Sequence, residues 1–447
     1  MFEVPEWAAN KVVYQIFPSR FAATEPVDKE LWYKAPITPM DDLHGNLRGI
    51  IEHMDDIQNL GIDVLYMTPI FQSNSCHKYD TTDYYQIDPS FGTTEDLKEL
   101  VQKAHERGMK VVLDAVYNHT GREFFAFADI LENGEKSKYR DWYFIDGFPL
   151  KSEWGEIPNF KCFGYYGGMP KLNLKNPEVE KYIMDVACYW IKECDIDGWR
   201  LDVGDEISHF FWKNFRKAVK AVKKDMLIIG EIWHYAGDFL EGDEWDTVMN
   251  YPFYLNLIDL LADEKITVSQ FVQNLGYLKG RLHKNCYPLM WNLIDSHDTA
   301  RFLHLCNDNK KKQHLAAAFQ LLLPGMPMIY YGDEYAMPGA NDPDCRRGMY
   351  WDEEYQDKEM YEWYKRLIQV RKSHACIVEG ELAGIVTEDE EGTIVLIRKN
   401  GEETIAMIFN CSSSAKKFNE YTQKYNLLTE NTFDGNVEGF DAAVIVL

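Results

Sequence analysis

The 447-residue sequence lacks the features that would direct it to a membrane, an export route or a nucleic acid. It has no run of the 18 or more apolar residues that a membrane-spanning helix needs. Its N-terminus lacks the basic start and apolar core of a signal peptide. Basic residues are few: 47 Lys and Arg stand against 72 Asp and Glu, which gives a formal net charge of −25. Because an acidic surface repels nucleic acid and anionic lipid, we expect neither as a partner.

Paired cysteines and glycine-rich turns are also missing. The nine cysteines are odd in number and never form a Cys-x-x-Cys pair, so the sequence predicts neither a disulfide framework nor a zinc site. Free thiols without an export signal favour a reducing compartment, and we expect the protein in the cytoplasm. No Gly-x-Gly-x-x-Gly turn follows the first predicted strand, which argues against a doubly wound dinucleotide-binding sheet.

What the sequence does contain is an alternation of short apolar runs with helical patterns. Eight runs are predicted to be strands, and they begin near residues 12, 64, 111, 198, 227, 248, 289 and 328. One helical stripe opens with a Thr-x-x-Asp cap at Thr93, and another has Pro177 near its start. Buried apolar strands that alternate with helices indicate βαβ units. Eight units predict an α/β fold, a closed (β/α)8 barrel of the TIM type.

Two segments interrupt this alternation. The first, rich in aromatic residues and glycine, has no long helical stripe, and we interpret it as a small domain (118–175) inserted after the third strand. It would separate the barrel parts 1–117 and 176–375. Its aromatic stretch Trp154–Tyr166 is expected to form its own core. Residues 376–447 alternate strands with turns, which predicts a C-terminal antiparallel β-sandwich domain.

Charged residues follow several predicted strands at the point where each one ends. Arg200 and Asp202 end the fourth strand, Glu231 ends the fifth, and Asp298 comes just after the seventh. The carboxyl ends of barrel strands form the catalytic face, so we expect these side chains to meet. Arg200 and Asp202 are two residues apart and point to the same side of a strand. This spacing places a cation beside Asp202 and favours its ionised form.

A pair of carboxyl groups with different environments indicates glycoside hydrolysis. Glu231 follows the apolar run 227–230, an environment that suits a general acid. Hydrolysis of a glycoside needs one carboxylate to attack the sugar carbon and one carboxylic acid to protonate the leaving oxygen. A single acidic residue at a strand end is more often a helix cap or an ion-pair partner. The prediction therefore depends on the joint occurrence of these residues at several strand ends.

At this point the sequence resembles the α-amylase family of glycoside hydrolases, and more narrowly its cyclomaltodextrinase, neopullulanase and maltogenic amylase branch. The motifs that carry the resemblance are DAVYNH at 114–119, MPKLN at 169–173, GWRLDV at 198–203, GEIWH at 230–234, SHD at 296–298 and GANDPDCRRG at 339–348. The resemblance implies a retaining hydrolase that cleaves α-1,4-glucosidic bonds of maltooligosaccharides and cyclodextrins. It implies a covalent β-glucosyl-Asp intermediate and some transglycosylation.

The same resemblance implies roles for individual residues. Asp202 would be the nucleophile, Glu231 the acid and base, and Asp298 the carboxylate that holds hydroxyls of the distorted sugar. Substrate-binding roles are implied for Tyr79, His119, Arg200, His297, Asp342, Arg346, Trp233 and His234. Asp80 is expected to pair with Arg200, and the loop 203–206 is expected on the leaving-group side.

Other functions stay open from the sequence. Within the family, the alternatives are an oligo-glucosidase acting on α-1,6 bonds and a glucosyl transferase. Outside the enzymes, the alternative is a barrel that only binds sugar. Members of this branch usually carry an additional N-terminal β-domain that helps to form a dimer. We expect that domain to be missing because the predicted barrel starts near Trp7, so the resemblance does not fix the oligomeric state. The resemblance implies an enzyme that requires no cofactor. The sequence does not predict the calcium ion that some family members bind.

Overall fold

Eight parallel strands form the centre of the computed structural model, which describes residues 3–151 and 157–447. They are β1 (Val13–Ile16), β2 (Val64–Met67), β3 (Lys110–Ala115), β4 (Gly198–Leu201), β5 (Leu227–Gly230), β6 (Thr247–Val248), β7 (Trp291–Asn292) and β8 (Met326–Tyr330). Their order in the sheet is β6-β5-β4-β3-β2-β1-β8-β7. A parallel bridge between Met249 and Trp291 joins the two edges. The predicted (β/α)8 barrel is therefore confirmed.

Apolar side chains fill the barrel and cover its outer surface. Successive strand residues point to opposite faces, so each strand contributes to both layers. The interior forms one buried cluster that includes Val13, Val64, Val112, Leu227 and Met328. The alternate residues pack outward against the helices. This double burial is why the strands have nearly continuous apolar sequences.

Helices surround the barrel. The longer ones are Thr94–Glu106, Pro177–Cys194, His209–Val222, Val268–Arg281, Lys310–Leu322 and Lys358–Ser373. The shorter ones are Pro18–Phe21, Lys29–Trp32, Leu47–Glu52, Met54–Leu60, Phe125–Asn133, Tyr251–Leu257, Phe302–Leu305 and Cys376–Glu379. The predicted cap is present, since the Asp96 N–H donates to Thr93 Oγ1 and the Thr93 N–H donates to the Asp96 carboxylate. Across the described residues, no helix is both long and apolar enough to cross a membrane.

The segment between β3 and β4 is mostly irregular and lies against the carboxyl end of β3. An antiparallel bridge joins His119, in the loop after β3, to Lys171 at the far end of the segment. Within the aromatic stretch that was expected to form a core, Phe160 is buried, whereas Tyr165 is 90% exposed. Trp154 lies outside the described residues. The stretch therefore supplies both packing and exposed rings.

The chain ends in antiparallel β-structure, as predicted. Its strands are β9 (Glu381–Glu388), β10 (Thr393–Asn400), β11 (Glu403–Asn410), β12 (Lys416–Lys417), β13 (Tyr425–Asn426), β14 (Asn431–Thr432), β15 (Asn436–Val437) and β16 (Asp441–Val446). Six of them form a sheet in the order β9-β10-β11-β16-β13-β14, and β12 pairs with β15. One face of the sheet contacts the barrel through Phe409 and Phe319, whose ring centroids are 4.3 Å apart. The other face packs on Phe418 and Val437.

Candidate active site

The carboxyl ends of β3, β4 and β5 bring acidic side chains around one buried arginine. Arg200, the third residue of β4, is 0% exposed. Its Nη1 lies 3.1 Å from both carboxylate oxygens of Asp114 and 3.0 Å from Asp202 Oδ1. Its Nη2 lies 2.9 Å from Glu231 Oε2 and 3.9 Å from Asp298 Oδ2. One guanidinium thus joins all three acidic residues for which catalytic roles are implied.

Asp202 and Glu231 are almost completely buried, at 5% and 8% exposure. Asp202 Oδ2 is buried, and no group in the described part of the chain donates a hydrogen bond to it. Glu231 Oε2 accepts a hydrogen bond from the backbone N–H of Val203 at 2.9 Å, and Oε1 accepts one from Trp233 Nε1 at 3.2 Å. A buried carboxylate oxygen without a donor is costly because its desolvation is not offset. Asp202 Oδ2 therefore marks a position where an atom of a ligand is expected.

The site holds more negative charge than Arg200 can neutralise. Burial and the charge of Glu231 raise the pKa of Asp202 well above its ordinary value, and Arg200 only partly opposes them. Burial likewise raises the pKa of Asp114 to about 6. Arg200 favours the ionised form of Asp202, as the two-residue spacing predicts, but burial and the charge of Glu231 outweigh this contribution to the pKa of Asp202. The negative charge of Asp114 adds to the rise in the pKa of Asp202, so the protonation of one affects the other.

Asp114, rather than Asp80, is the additional partner of Arg200, so the expectation for Asp80 is wrong. Asp114 lies directly beside Arg200 in the parallel pairing of β3 with β4. Asp80 instead lies between two short antiparallel strands that follow β2, Phe71–Ser73 and Thr81–Ile87. There its carboxylate accepts hydrogen bonds from the hydroxyls of Ser73 and Ser75. Lateral strand register, which one sequence does not reveal, decides which acid reaches the guanidinium.

Tyr79 and His297 form a stacked pair beside the carboxylates. Their rings are nearly parallel, with centroids 5.6 Å apart, and the Tyr79 hydroxyl lies 3.0 Å from Asp114 Oδ2. The same hydroxyl lies 2.5 Å from His297 Nε2. On the other ring edge, Gln15 Nε2 in β1 donates to His297 Nδ1 at 2.6 Å, so Nε2 carries the ring proton. Burial lowers the pKa of His297 well below its ordinary value, which keeps the ring neutral.

His119 lies behind Tyr79. The ring is buried, and its Nε2 donates a hydrogen bond to the backbone carbonyl of Tyr79 at 3.1 Å. Burial lowers the pKa of His119 to about 4, so it is neutral as well. Phe163 of the inserted segment stacks on it with ring centroids 5.3 Å apart. His119 therefore fixes the backbone of Tyr79 at the site.

Asp298, Asp342 and Arg346 form a connected group that leads from Arg200 towards solvent. Arg346 Nη2 lies 3.3 Å from Asp298 Oδ1, and its Nη1 lies 2.8 Å from Asp342 Oδ1. The side chain of Asp298 is 29% exposed and that of Asp342 is 47% exposed. These three residues therefore form a charged wall that solvent or a ligand can reach.

Trp233 and His234 lie on the Glu231 side of the site. The Trp233 indole is 42% exposed and stacks on Tyr251 with ring centroids 4.0 Å apart. His234 Nε2 lies 3.2 Å from Asp205 Oδ2 in the loop 203–206. An exposed ring that is supported from below offers a flat apolar surface next to Glu231.

Sequence reasoning did not identify four residues that contact the site: Gln15, Tyr66, Phe163 and Tyr251. Tyr66 in β2 donates to Asp114 Oδ2 at 2.7 Å. Gln15 and Tyr66 interrupt otherwise apolar strand sequences, and these polar atoms were a usable signal. Phe163 and Tyr251 gave no comparable signal, because aromatic residues are common in any core.

Within residues 3–151 and 157–447, no group of three or more His, Cys, Asp or Glu side chains is placed to hold a metal ion.

Known proteins are similar to this chain over most of its length. The family description "Alpha amylase, catalytic domain" matches residues 15–380. A cyclomaltodextrinase of Geobacillus thermopakistaniensis is 46% identical over 93% of this chain and 71% of its own length. Neopullulanase 2 of Thermoactinomyces vulgaris is 43% identical over 92% of this chain and 71% of its own length.

Solved structures agree. The ligand-free cyclic alpha-maltosyl-(1→6)-maltose hydrolase of Arthrobacter globiformis has a TM-score of 0.90 and 35% identity, and 100% of both chains is covered. A cyclomaltodextrinase structure has a TM-score of 0.94 and 39% identity, covering 100% of this chain and 79% of that one. Together with the family match, these similarities show that the chain belongs to the α-amylase family of glycoside hydrolases, as an α-glucan hydrolase of the cyclomaltodextrinase and maltogenic amylase type.

Proposed function

We propose that the protein is a retaining hydrolase that cleaves α-1,4-glucosidic bonds of maltooligosaccharides and cyclodextrins. The observation that carries this proposal is the buried Asp202 Oδ2, which has no donor among the described residues and lies next to Glu231. Both carboxylates bind adjacent nitrogens of Arg200. This arrangement favours the spacing of about 5–5.5 Å between carboxyl groups that retaining glycosidases use.

In the proposed reaction, Asp202 Oδ2 attacks the anomeric carbon and forms a β-glucosyl ester. Glu231 gives a proton to the glycosidic oxygen as the bond to that oxygen breaks. Glu231 then takes a proton from water, and the water oxygen displaces Asp202 from the anomeric carbon. Two inversions restore the α configuration. Arg200 supports the first step, because its positive charge favours the ionised form of Asp202 that attacks the anomeric carbon.

We assign the remaining site residues to the binding of glucose units on both sides of the cleaved bond. Asp298 is proposed to hold hydroxyls of the reacting glucose, on which positive charge develops in the transition state. Asp342 and Arg346 are proposed to bind the next glucose towards the non-reducing end, and Tyr79 is proposed to stack beneath the reacting ring. His119 and His297 are proposed to hold Tyr79 in place beneath that ring.

The leaving-group side is assigned to Trp233 and His234. The flat Trp233 indole suits the apolar face of a sugar, and its position next to Glu231 suits the glucose that leaves. Because the same surface can bind an acceptor sugar instead of water, we include transglycosylation in the proposal. A relative from Bacillus subtilis is named intracellular maltogenic amylase, and this name supports a cytoplasmic location for the present protein.

An α-1,6-acting enzyme is the second candidate. It is favoured by the full-length similarity to a hydrolase whose name specifies an α-1,6-linked cyclic maltosyl-maltose. Chromatography of the products from maltotriose, panose and β-cyclodextrin separates the two. Faster cleavage of panose at its α-1,6 bond than of maltotriose would favour this second candidate over the first.

Separate replacement of the two carboxylates tests the mechanism. We expect E231A to lose about 1,000-fold or more in kcat/KM on maltotriose, because the leaving oxygen is no longer protonated. With α-maltosyl fluoride, whose fluoride leaves without a proton, E231A should still form the ester, and added azide should give α-maltosyl azide. D202A with the same reagents should give β-maltosyl azide, because only one inversion remains. Ordinary activity of E231A, or a β-configured first product from the wild type, would refute the mechanism.

A further inference from the structure

The backbone between the two central carboxylates adopts a conformation that valine rarely takes. Val203, directly after Asp202, has φ 47° and ψ 44°, in the left-handed region. A β-branched residue is disfavoured there, because its side chain crowds the backbone. In this conformation the Val203 N–H donates its hydrogen bond to Glu231 Oε2. The strained residue therefore acts directly on the proposed acid and base.

Lys171, from the inserted segment, binds the other end of the loop 203–206. Its Nζ lies 2.8 Å from Glu206 Oε2, 3.2 Å from the Glu206 carbonyl oxygen and 2.5 Å from Asn118 Oδ1. Three oxygen acceptors thus converge on one ammonium whose side chain is only 18% exposed. Asn118 follows β3 and Glu206 follows β4, so Lys171 joins the inserted segment to two loops at the catalytic end of the barrel.

The middle of the loop is held by packing. Trp212 Nε1 donates a hydrogen bond to the Gly204 carbonyl at 2.8 Å. Gly204 also lies against Trp245, and a Cβ at this position would be 2.8 Å from that ring. The Glu206 N–H donates to the Val203 carbonyl at 3.2 Å, which closes the turn. A displacement of Glu206 would therefore change the backbone conformation of Val203 through this single turn.

We propose that Lys171 is a positioning residue for the acid and base: by holding Glu206, it keeps Val203 left-handed and its N–H directed at Glu231. The inference rests on the proposed function, because it assumes that Glu231 transfers the proton. Lys171 would have no contact with the reacting sugar in this role. Its effect would pass through Glu206 and the backbone of Val203.

Loss of this hydrogen bond has a defined consequence for the kinetic constants. The Val203 N–H holds the Glu231 carboxyl in place for proton transfer, so its loss should lower kcat more than it raises KM. Glu231 keeps its contacts with Arg200 and Trp233, because only Lys171 is replaced.

Removal of a positive charge near the site would also change kcat, so the decisive experiment separates conformation from charge. We expect K171M to lower kcat/KM on maltotriose about tenfold. Adding V203G to K171M should recover most of that loss, because glycine takes the left-handed conformation without help from the clamp. K171R, which keeps the charge, should lose less than K171M. K175M is the matched control, since it removes the same charge from an exposed lysine of the same segment and should leave kcat/KM within about twofold.

Three outcomes would overturn the inference. They are equal kcat/KM values for K171M and K171M/V203G, a loss in K171M that falls on KM alone, and an equal loss in K175M. Should K171M fail to fold, E206A removes the other partner of the clamp and should give the same loss and the same recovery with V203G. Failure of the proposed function is distinguishable, because E231A would then keep its activity whatever K171M does.

Discussion

Two fully buried arginines, Arg200 and Arg371, differ in their partners. Carboxylates of the proposed active site surround Arg200, whereas backbone carbonyl groups surround Arg371. Arg200 lies at the carboxyl ends of the barrel strands, with three carboxylates against one guanidinium. Arg371 lies near the end of the helix Lys358–Ser373 and donates to backbone carbonyl oxygens of Leu321, Leu323 and Gly325. Both side chains are 0% exposed. The carboxyl partners of Arg200 can gain or lose a proton, whereas the carbonyl partners of Arg371 cannot.

The two pKa shifts reflect this difference. Burial lowers the pKa of Arg371 to about 9, because its carbonyl partners carry no full charge. Burial acts in the same direction on Arg200, but the carboxylates, chiefly Asp114, outweigh it and raise the pKa of Arg200 overall. A structural cation is thus satisfied by groups that never titrate. The cation at the proposed active site is surrounded by carboxyl groups, and one of these, Asp202, has a buried oxygen that accepts no hydrogen bond from any described residue.

The largest expected effect is on activity, in R200M. Removal of the shared cation leaves Asp114, Asp202 and Glu231 with mutual repulsion, so their protonation and orientation should both change. We expect kcat/KM on maltotriose to fall about 1,000-fold or more, equivalent to about 4 kcal/mol of transition-state stabilisation. Circular dichroism and thermal melting provide the control for folding. If R200M kept a tenth of the activity, Arg200 would not be the organiser of the site.

R371M should have the opposite outcome. It leaves three buried carbonyl oxygens without their donor, which should cost about 3–5 kcal/mol in the free energy of unfolding. The urea midpoint measures this loss, and kcat/KM at a temperature where the variant is folded should stay within about twofold. R107M is the matched control, because Arg107 is half-buried and pairs with the exposed Asp55, so that its replacement should cost less than about 1 kcal/mol. A loss of activity in R371M without a loss of stability would break the comparison.

Much of this comparison could be anticipated from the sequence. Apolar runs predicted all eight strands, and the two-residue spacing of Arg200 and Asp202 predicted that both point to one side. The meeting of Arg200, Asp202, Glu231 and Asp298 follows because parallel strands end on one face of a barrel. The strands β6 and β7 have only two residues each, shorter than their apolar runs indicate, because ladder hydrogen bonds and not hydrophobicity set strand length.

What the sequence could not supply depends on lateral and long-range geometry. Asp114 and not Asp80 contacts Arg200 because of the register of β3 against β4. The net pKa shift of Asp202 follows from how many carboxyl groups share one cation, which requires distances. The contact of Lys171 with Glu206 joins residues 35 positions apart through an irregular segment, which has no periodicity to interpret. The role of Arg371 was equally hidden, since its partners are backbone atoms.

A buried carboxyl group gives a third case, with the smallest expected effect. Glu334 accepts hydrogen bonds from the Tyr14 hydroxyl at 2.6 Å and from the Gly332 N–H at 2.9 Å. Burial raises its pKa to about 7. The folded state then holds a proton that the unfolded state releases above about pH 4.5, so the stability it contributes is present at acid pH and is lost as pH rises through about 7.

In E334Q this pH dependence should disappear, because the amide can donate to Tyr14 and accept from Gly332 without titrating. Relative to the wild type, the free energy of unfolding of E334Q should therefore increase by about 2–3 kcal/mol between pH 5 and pH 8. Urea denaturation of both proteins at the two pH values measures this difference. Parallel pH profiles would mean that the Glu334 carboxyl is already ionised in the folded protein. That result would sharpen the comparison, because a buried anion could then be held by two hydrogen-bond donors alone, as the Arg371 cation is held by carbonyl groups.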